Sequence, residues 1–212
     1  MTAAGARGAK IEALFATRLY RARLPARARS LNAVLEKTCR AIAAEDRAGQ
    51  RWCKEHDYRG YTSYASLDDL PTRASVFAEL IAHLDSHVRA LARTLEFDID
   101  VRRLVLDSIW INVLKPGGAH TAHIHPHSVI SGTYYVSVPD GASAIRYEDP
   151  RLAMMMAAPP KRAKAARENQ SFVSAAPTPG TLLLWESWLR HEVLVNKAKS
   201  ERISISFNYA ER

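Results

Sequence analysis

Apolar positions change their period near residue 100. Upstream, Phe77, Leu80, Ile81, Leu84, Val88, Leu91, Ala92 and Leu95 recur every three or four residues, which lays one hydrophobic stripe along a helix. Pro71 before this run and Asp98-Ile99-Asp100 after it bracket that helix. A second helix is expected from about Leu31 to Arg47, and the aromatic stretch Tyr58 to Tyr64, with Gly60 in its middle, reads as irregular. Downstream the pattern turns to short β-like runs: 104–114, 129–138, 144–147, 172–175, 181–185, 192–195 and 202–209. Pro116-Gly117, Pro139-Asp140-Gly141 and Pro179-Gly180 supply turns between them. Many short strands at this spacing predict a sandwich or barrel. Helices first and strands afterwards make the whole an α+β fold, with the N-terminal helices packed on one sheet. The expected layout is a single domain, residues 1–100 a mostly helical extension and 101–212 the β core. Residues 150–170, with Met154, Met155 and Met156 in a row, form an insertion, a lid or a packed loop.

Composition narrows this little. A chain of 212 residues, 47% of them hydrophobic, can bury a core, and no apolar run reaches the roughly 18–20 residues that a membrane span needs. The first thirty residues are rich in Ala and Arg and carry one acid, Glu12, a composition shared with organelle transit peptides. Ile11, Leu14, Phe15, Leu19 and Tyr20 nevertheless offer apolar anchors, so the stretch is read as part of the fold and the protein as cytoplasmic. Cys39 and Cys53 match no zinc motif and make no disulfide framework. The net charge of +8 invites an acidic partner, but it is diffuse: sixteen Lys and Arg against thirteen acids in residues 1–100, fourteen against nine afterwards. Only Lys161, Arg162, Lys164 and Arg167 cluster, which argues against a nucleic-acid role.

The histidines change the picture. Four of the eight, His120, His123, His125 and His127, fall within eight residues, and His191 stands apart. Residues two apart on a strand share a face, so His123 and His125 can chelate one ion, with a third ligand arriving from a distant strand. Imidazole suits iron, zinc, copper and nickel alike. Isolated histidines are more often surface or hydrogen-bonded core groups; the His-x-His spacing, together with the alternating run that begins at Arg202, favours a metal. Arg202-Ile203-Ser204-Ile205-Ser206-Phe207-Asn208 alternates strictly, with Arg202, Ser204, Ser206 and Asn208 on the polar face. A buried guanidinium needs a partner, either a ligand carboxylate or an internal acid.

Several blocks in order carry a resemblance. They are Trp110-Ile111-Asn112, Gly117-Gly118, His123-Ile124-His125-Pro126-His127-Ser128 and Ser131-Gly132-Thr133-Tyr134-Tyr135-Val136. Glu148-Asp149-Pro150-Arg151, Pro179-Gly180, the 185–193 stretch and Arg202 to Asn208 continue them. Over about residues 103–209 the chain resembles the 2-oxoglutarate–iron(II) oxygenases. The resemblance implies a double-stranded β-helix (jelly roll) that uses Fe(II), 2-oxoglutarate and O2, with His123 as first metal ligand and His191 as the distal one. It also implies that Arg202 grips the far carboxylate of 2-oxoglutarate, with Ser204 beside it and Asn112 a further contact. Apart from the resemblance, Tyr134 is the tyrosine of its pair expected at the ligand, because it lies an even number of residues from Ser128, a parity that a bulge would undo. One departure stands out: the superfamily completes its iron site with a carboxylate, where this chain has His125. Either the site holds three imidazoles, the favoured reading, or Asp149 or Glu186 replaces His125.

Competing readings are a three-His dioxygenase or cupin-like metal protein that uses no keto acid, and a non-enzymatic module binding an acidic partner through residues 161–167. Trp185 and Trp188 either wall the pocket or fill core. The primary substrate is not legible, and no feature of the sequence forces the dimer common among related jelly rolls.

Overall fold

The computed structural model describes residues 8–24 and 29–212. In chain order these form strand β1 (Tyr20–Arg23), helices α1 (Arg29–Glu45) and α2 (Arg47–Glu55), β2 (Gly60–Thr62), α3 (Leu70–Arg73) and α4 (Ser75–Thr94). Eight strands follow: β3 (Leu104–Leu114), β4 (His120–His123), β5 (Ile130–Ser137), β6 (Ile145–Glu148), β7 (Phe172–Ala175), β8 (Thr181–Glu186), β9 (His191–Val193) and β10 (Arg202–Glu211). No helix among the described residues is long and apolar enough to cross a membrane.

The strands make two antiparallel sheets, one ordered β1-β8-β5-β10-β3-β2 and the other β4-β9-β6-β7. Together they form the double-stranded β-helix. Apolar residues on one face of the large sheet, among them Ile203, Ile205 and Phe207, pack against Leu80, Leu84, Val88 and Leu91 of α4 and Leu35 of α1. Each such side chain, fully buried, contributes about 1.5–3 kcal/mol. Between the sheets lies a smaller core of Tyr135, Leu183 and Trp185 against Ile145, Tyr147 and Leu189. The α4 stripe sits where its period places it, with Phe77, Leu80, Leu84, Val88, Leu91 and Ala92 all buried.

Four expectations need correcting. The helix expected over Leu31–Arg47 breaks at Asp46, whose carboxylate accepts from the Gly49 N–H at 3.0 Å and so starts α2. The 58–64 stretch is not wholly irregular: Gly60–Thr62 pair with Leu114, Val113 and Asn112 as β2. Gly60 is required there, because a Cβ would collide with the Val113 carbonyl oxygen. The first hundred residues also give β1, paired in register with Leu184–Thr181 of β8, so they complete the large sheet as well as cover it. Of the apolar anchors near the N-terminus only Leu19 and Tyr20 pack on cores. Ile11 is 88% and Phe15 91% exposed, and Leu14 is exposed too.

Candidate metal centre

His123 ends β4 and His191 opens β9, and the two are register partners in the small sheet. His125 lies just past β4, off the strand, and its backbone N–H donates to the Ser187 carbonyl at 3.0 Å. The three rings each offer a ligand nitrogen, and these atoms lie within 4.8 Å of one another. The His191 Nδ1 lies 2.8 Å from the Leu189 carbonyl and the His123 Nδ1 2.6 Å from the Thr121 carbonyl. A carbonyl only accepts, so both Nδ1 atoms carry their protons and both Nε2 lone pairs are free, the arrangement of an outer-anchored metal ligand. The Nε2 atoms of His125 and His191 face each other at 3.4 Å. Burial lowers the His125 pKa to about 4 and the His191 pKa to about 3, with the His123 ring adding to both effects. Neutral imidazoles converging in this way fit a divalent transition metal.

The carboxylates weighed against His125 are engaged elsewhere. Asp149 is held by Arg151 at 2.8 Å, and Glu186 accepts from the Trp188 indole N–H at 3.0 Å. Neither lines the cavity that contains the histidines. That cavity, of about 410 Å³, is within the range of small-molecule sites. Trp185 forms one of its walls and stands edge-on to His191 at 4.8 Å, whereas Trp188 is largely exposed. Met154 and Met156 project into solvent and do not line it.

Arg202 lies at the cavity's inner end, 2% exposed. One terminal nitrogen donates to the Ser143 carbonyl and hydroxyl and the other to the Ser204 Oγ at 3.3 Å, while Nε has no partner. No Asp or Glu is among the described residues lining the cavity, so no internal acid answers this guanidinium there. Asn112, directly opposite Ser204 in the sheet, donates to Ser206 at 3.1 Å, and its Oδ1 is unpartnered. Thr133 Oγ1, Tyr135 OH and Trp185 Nε1, all on cavity-lining residues, are unpartnered as well. Buried polar atoms are normally satisfied, so five orphans around one chamber match a polar ligand. A carboxylate-bearing molecule beside Arg202 fits that set.

Tyr134 is not part of it. It pairs with Ile205 in the sheet, packs in the helix-side core and donates its hydroxyl to Asn32 at 3.0 Å. The tyrosine facing the chamber is Tyr135, which pairs with Ser204 and lies 5.2 Å below the Arg202 guanidinium. The sequence signal for it was the alternation Ser131, Thr133, Tyr135, which continues a polar face just as β10 does. Two more residues were missed. His120 and Tyr58 line the cavity together, 2.7 Å apart, and burial with the nearby Arg202 charge lowers the His120 pKa to about 3. Nothing local in the sequence brings residue 58 to residue 120; the β2–β3 pairing does.

Residues 108–208 match the family model described as "Putative 2OG-Fe(II) oxygenase". No curated protein matches the chain. Among solved structures, the non-heme alpha ketoglutarate dependent epimerase SnoN from nogalamycin biosynthesis aligns over 92% of this chain and 79% of its own, at 12% identity and a TM-score of 0.62. That epimerase is also solved in complex with Fe3+ and alpha ketoglutarate. A Pseudomonas putida prolyl-4-hydroxylase aligns over 92% of this chain and 89% of its own, at 19% identity and a TM-score of 0.56. At these identities the two share the fold. Against a 2OG-Fe(II) oxygenase family oxidoreductase from Burkholderia pseudomallei the alignment covers 59% of this chain and 52% of that one, at 16% identity and a TM-score of 0.44, too loose to bear on the argument. The stretch that matches the 2OG-Fe(II) oxygenase family model, residues 108–208, is the one that holds all three clustered histidines and Arg202.

Proposed function

We propose that this protein is an Fe(II)- and 2-oxoglutarate-dependent hydroxylase in which His123, His125 and His191 hold the iron and Arg202 anchors the cosubstrate. The observation that carries this reading is the pairing of three converging imidazoles with a buried guanidinium that has no acid beside it in the same cavity. Bound iron and 2-oxoglutarate supply the oxidising power: O2 and the keto acid are consumed, succinate and CO2 leave, and one oxygen atom goes into a substrate C–H bond.

The chain's own residues bind and orient. Arg202 fixes the distal carboxylate of the cosubstrate, with Ser204 and the Asn112 amide completing a polar cradle on adjacent strands. Leu189 and Thr121, through their carbonyls, hold the His191 and His123 rings so that Nε2 faces inward. Trp185 and Tyr147 pack around His191 and keep water from that side. With three neutral ligands the protein leaves the metal's +2 charge unreduced, which sets this centre apart from the two-His, one-carboxylate arrangement.

The test is turnover of 2-oxoglutarate to succinate by the purified protein with Fe(II) and ascorbate. Succinate should form at least slowly without the primary substrate, and its absence from protein with iron bound would count against the reading. Arg202→Ala should retain iron and lose 2-oxoglutarate binding. Keto-acid use untouched by that substitution would mean that Arg202 is not the anchor.

A further inference from the structure

The cavity has two chemically different ends. Along β10 the polar face runs Arg202, Ser204, Ser206, Asn208, of which Arg202, Ser206 and Asn208 line the cavity, and Ser206 lies about 13 Å from Arg202 at the usual strand rise. Ser206 pairs with Trp110 on one side and Thr133 on the other. The Trp110 ring lies 5.8 Å from that of His125, beside the clustered histidines. Tyr64 meets Trp110 edge-on at 5.2 Å and is itself 62% exposed, so this end opens to solvent. Trp52, stacked on His56 at 4.1 Å, and the exposed Ile124 also line the cavity.

Charge is what distinguishes the ends. Among the described residues lining the cavity there is no Asp, Glu or Lys, and Arg202 is the one guanidinium. If the cosubstrate takes Arg202, as proposed above, no charged Asp, Glu, Lys or Arg side chain of the lining remains to pair with a charged group on the substrate. Burying such a group unpaired is unfavourable. Tryptophan faces do attract cations, but no carboxylate lines the cavity to pair with one, and the dianionic cosubstrate proposed above would offset the charge of a bound metal towards an anion. A flat neutral group meets no such penalty and finds aromatic rings to pack on.

We propose that the substrate group received next to the metal is an uncharged ring on a small molecule, held against Trp110 and Tyr64. This inference rests on the function proposed above and adds the class of substrate. A ring seated there lies beside His125 while Arg202 stays engaged two rungs away.

The experiment uses the full chain loaded anaerobically with Fe(II) and 2-oxoglutarate. Three probes carry the same ring with different charge: indole, tryptamine and indole-3-acetate. Binding is read by calorimetry and by saturation-transfer NMR, without turnover. Indole should bind at least about tenfold more tightly than either charged probe. Trp110→Ala should weaken it by about tenfold or more, and Tyr64→Ala, at an exposed position that leaves the core intact, by about two- to tenfold, with 2-oxoglutarate affinity retained in both. Tryptamine or indole-3-acetate binding as tightly as indole, or no probe binding while 2-oxoglutarate still binds, would overturn the substrate class and leave the proposed function standing. Failure of the wild-type protein to bind 2-oxoglutarate would overturn both.

Discussion

The two faces of β10 obey opposite rules. On the helix side, Ile203, Ile205, Phe207 and Tyr209 are fully buried, and the tyrosines there are satisfied: Tyr209 donates to Asp85 at 2.7 Å and Tyr134 to Asn32 at 3.0 Å. On the chamber side, Arg202, Asn112, Thr133 and Tyr135 are just as buried, yet each keeps a polar atom without a partner. One face is finished by folding, and the other is finished by what binds. The same backbone therefore carries stability on one side and recognition on the other, and substitutions should separate the two.

The largest effect is expected on the finished face. Phe207→Ala, in a position with no exposure, should cost about 3–5 kcal/mol of stability in urea unfolding. A cost under about 1 kcal/mol would mean that this face is not the main core. Acid tests the chamber face instead. Burial lowers the pKa of His120, His125 and His191 from the ordinary 6.5. The unfolded chain therefore takes up protons near pH 6.5 that the folded chain refuses. Stability of the metal-free protein should be fullest above about pH 6.5 and fall as pH drops towards 4, in thermal melts followed across that range. Melts that do not change from pH 7.5 to 5 would contradict this burial.

Arg202→Met sharpens the comparison. It should weaken 2-oxoglutarate binding by about 10–100-fold, a charged hydrogen-bond pair's worth, while leaving stability unchanged or higher. A clear loss of stability with binding intact would make Arg202 a structural residue. The smallest effect is the most discriminating. Tyr134→Phe removes a satisfied hydroxyl and should cost about 0.5–1.5 kcal/mol, whereas Tyr135→Phe removes an orphan and should cost nothing in the ligand-free protein. Equal costs for the two would erase the distinction between the faces.

Much of this was legible in the chain because it is local and periodic. The 202–209 alternation separates the faces of β10 without reference to any other strand, and the α4 stripe is equally self-contained. The histidine cluster and its distant partner were legible from spacing, although His125 lies beyond the strand end and not on the strand itself. What failed was parity carried across a turn. Counting from Ser128 to Tyr134 starts in a turn where His127 has φ of 68°, and the β5–β10 register shifts again between Ile203 and Ser204. Long-range pairing was illegible for a different reason. Gly60–Thr62 is too short to show a period, and β1 and β2 exist as strands because edges of the large sheet are there to receive them.

The close approach at Gly60 has a wider consequence. It docks β2 on β3, and Tyr58, Thr62 and Tyr64 enter the chamber from a part of the chain that lies wholly before the family-matched stretch. The lining of the chamber is thus drawn from two lengths of polypeptide, one inside the family-matched stretch and one before it. Substitutions at Trp52, Tyr58, Thr62 or Tyr64 therefore reshape one wall of the chamber without altering the clustered histidines or Arg202.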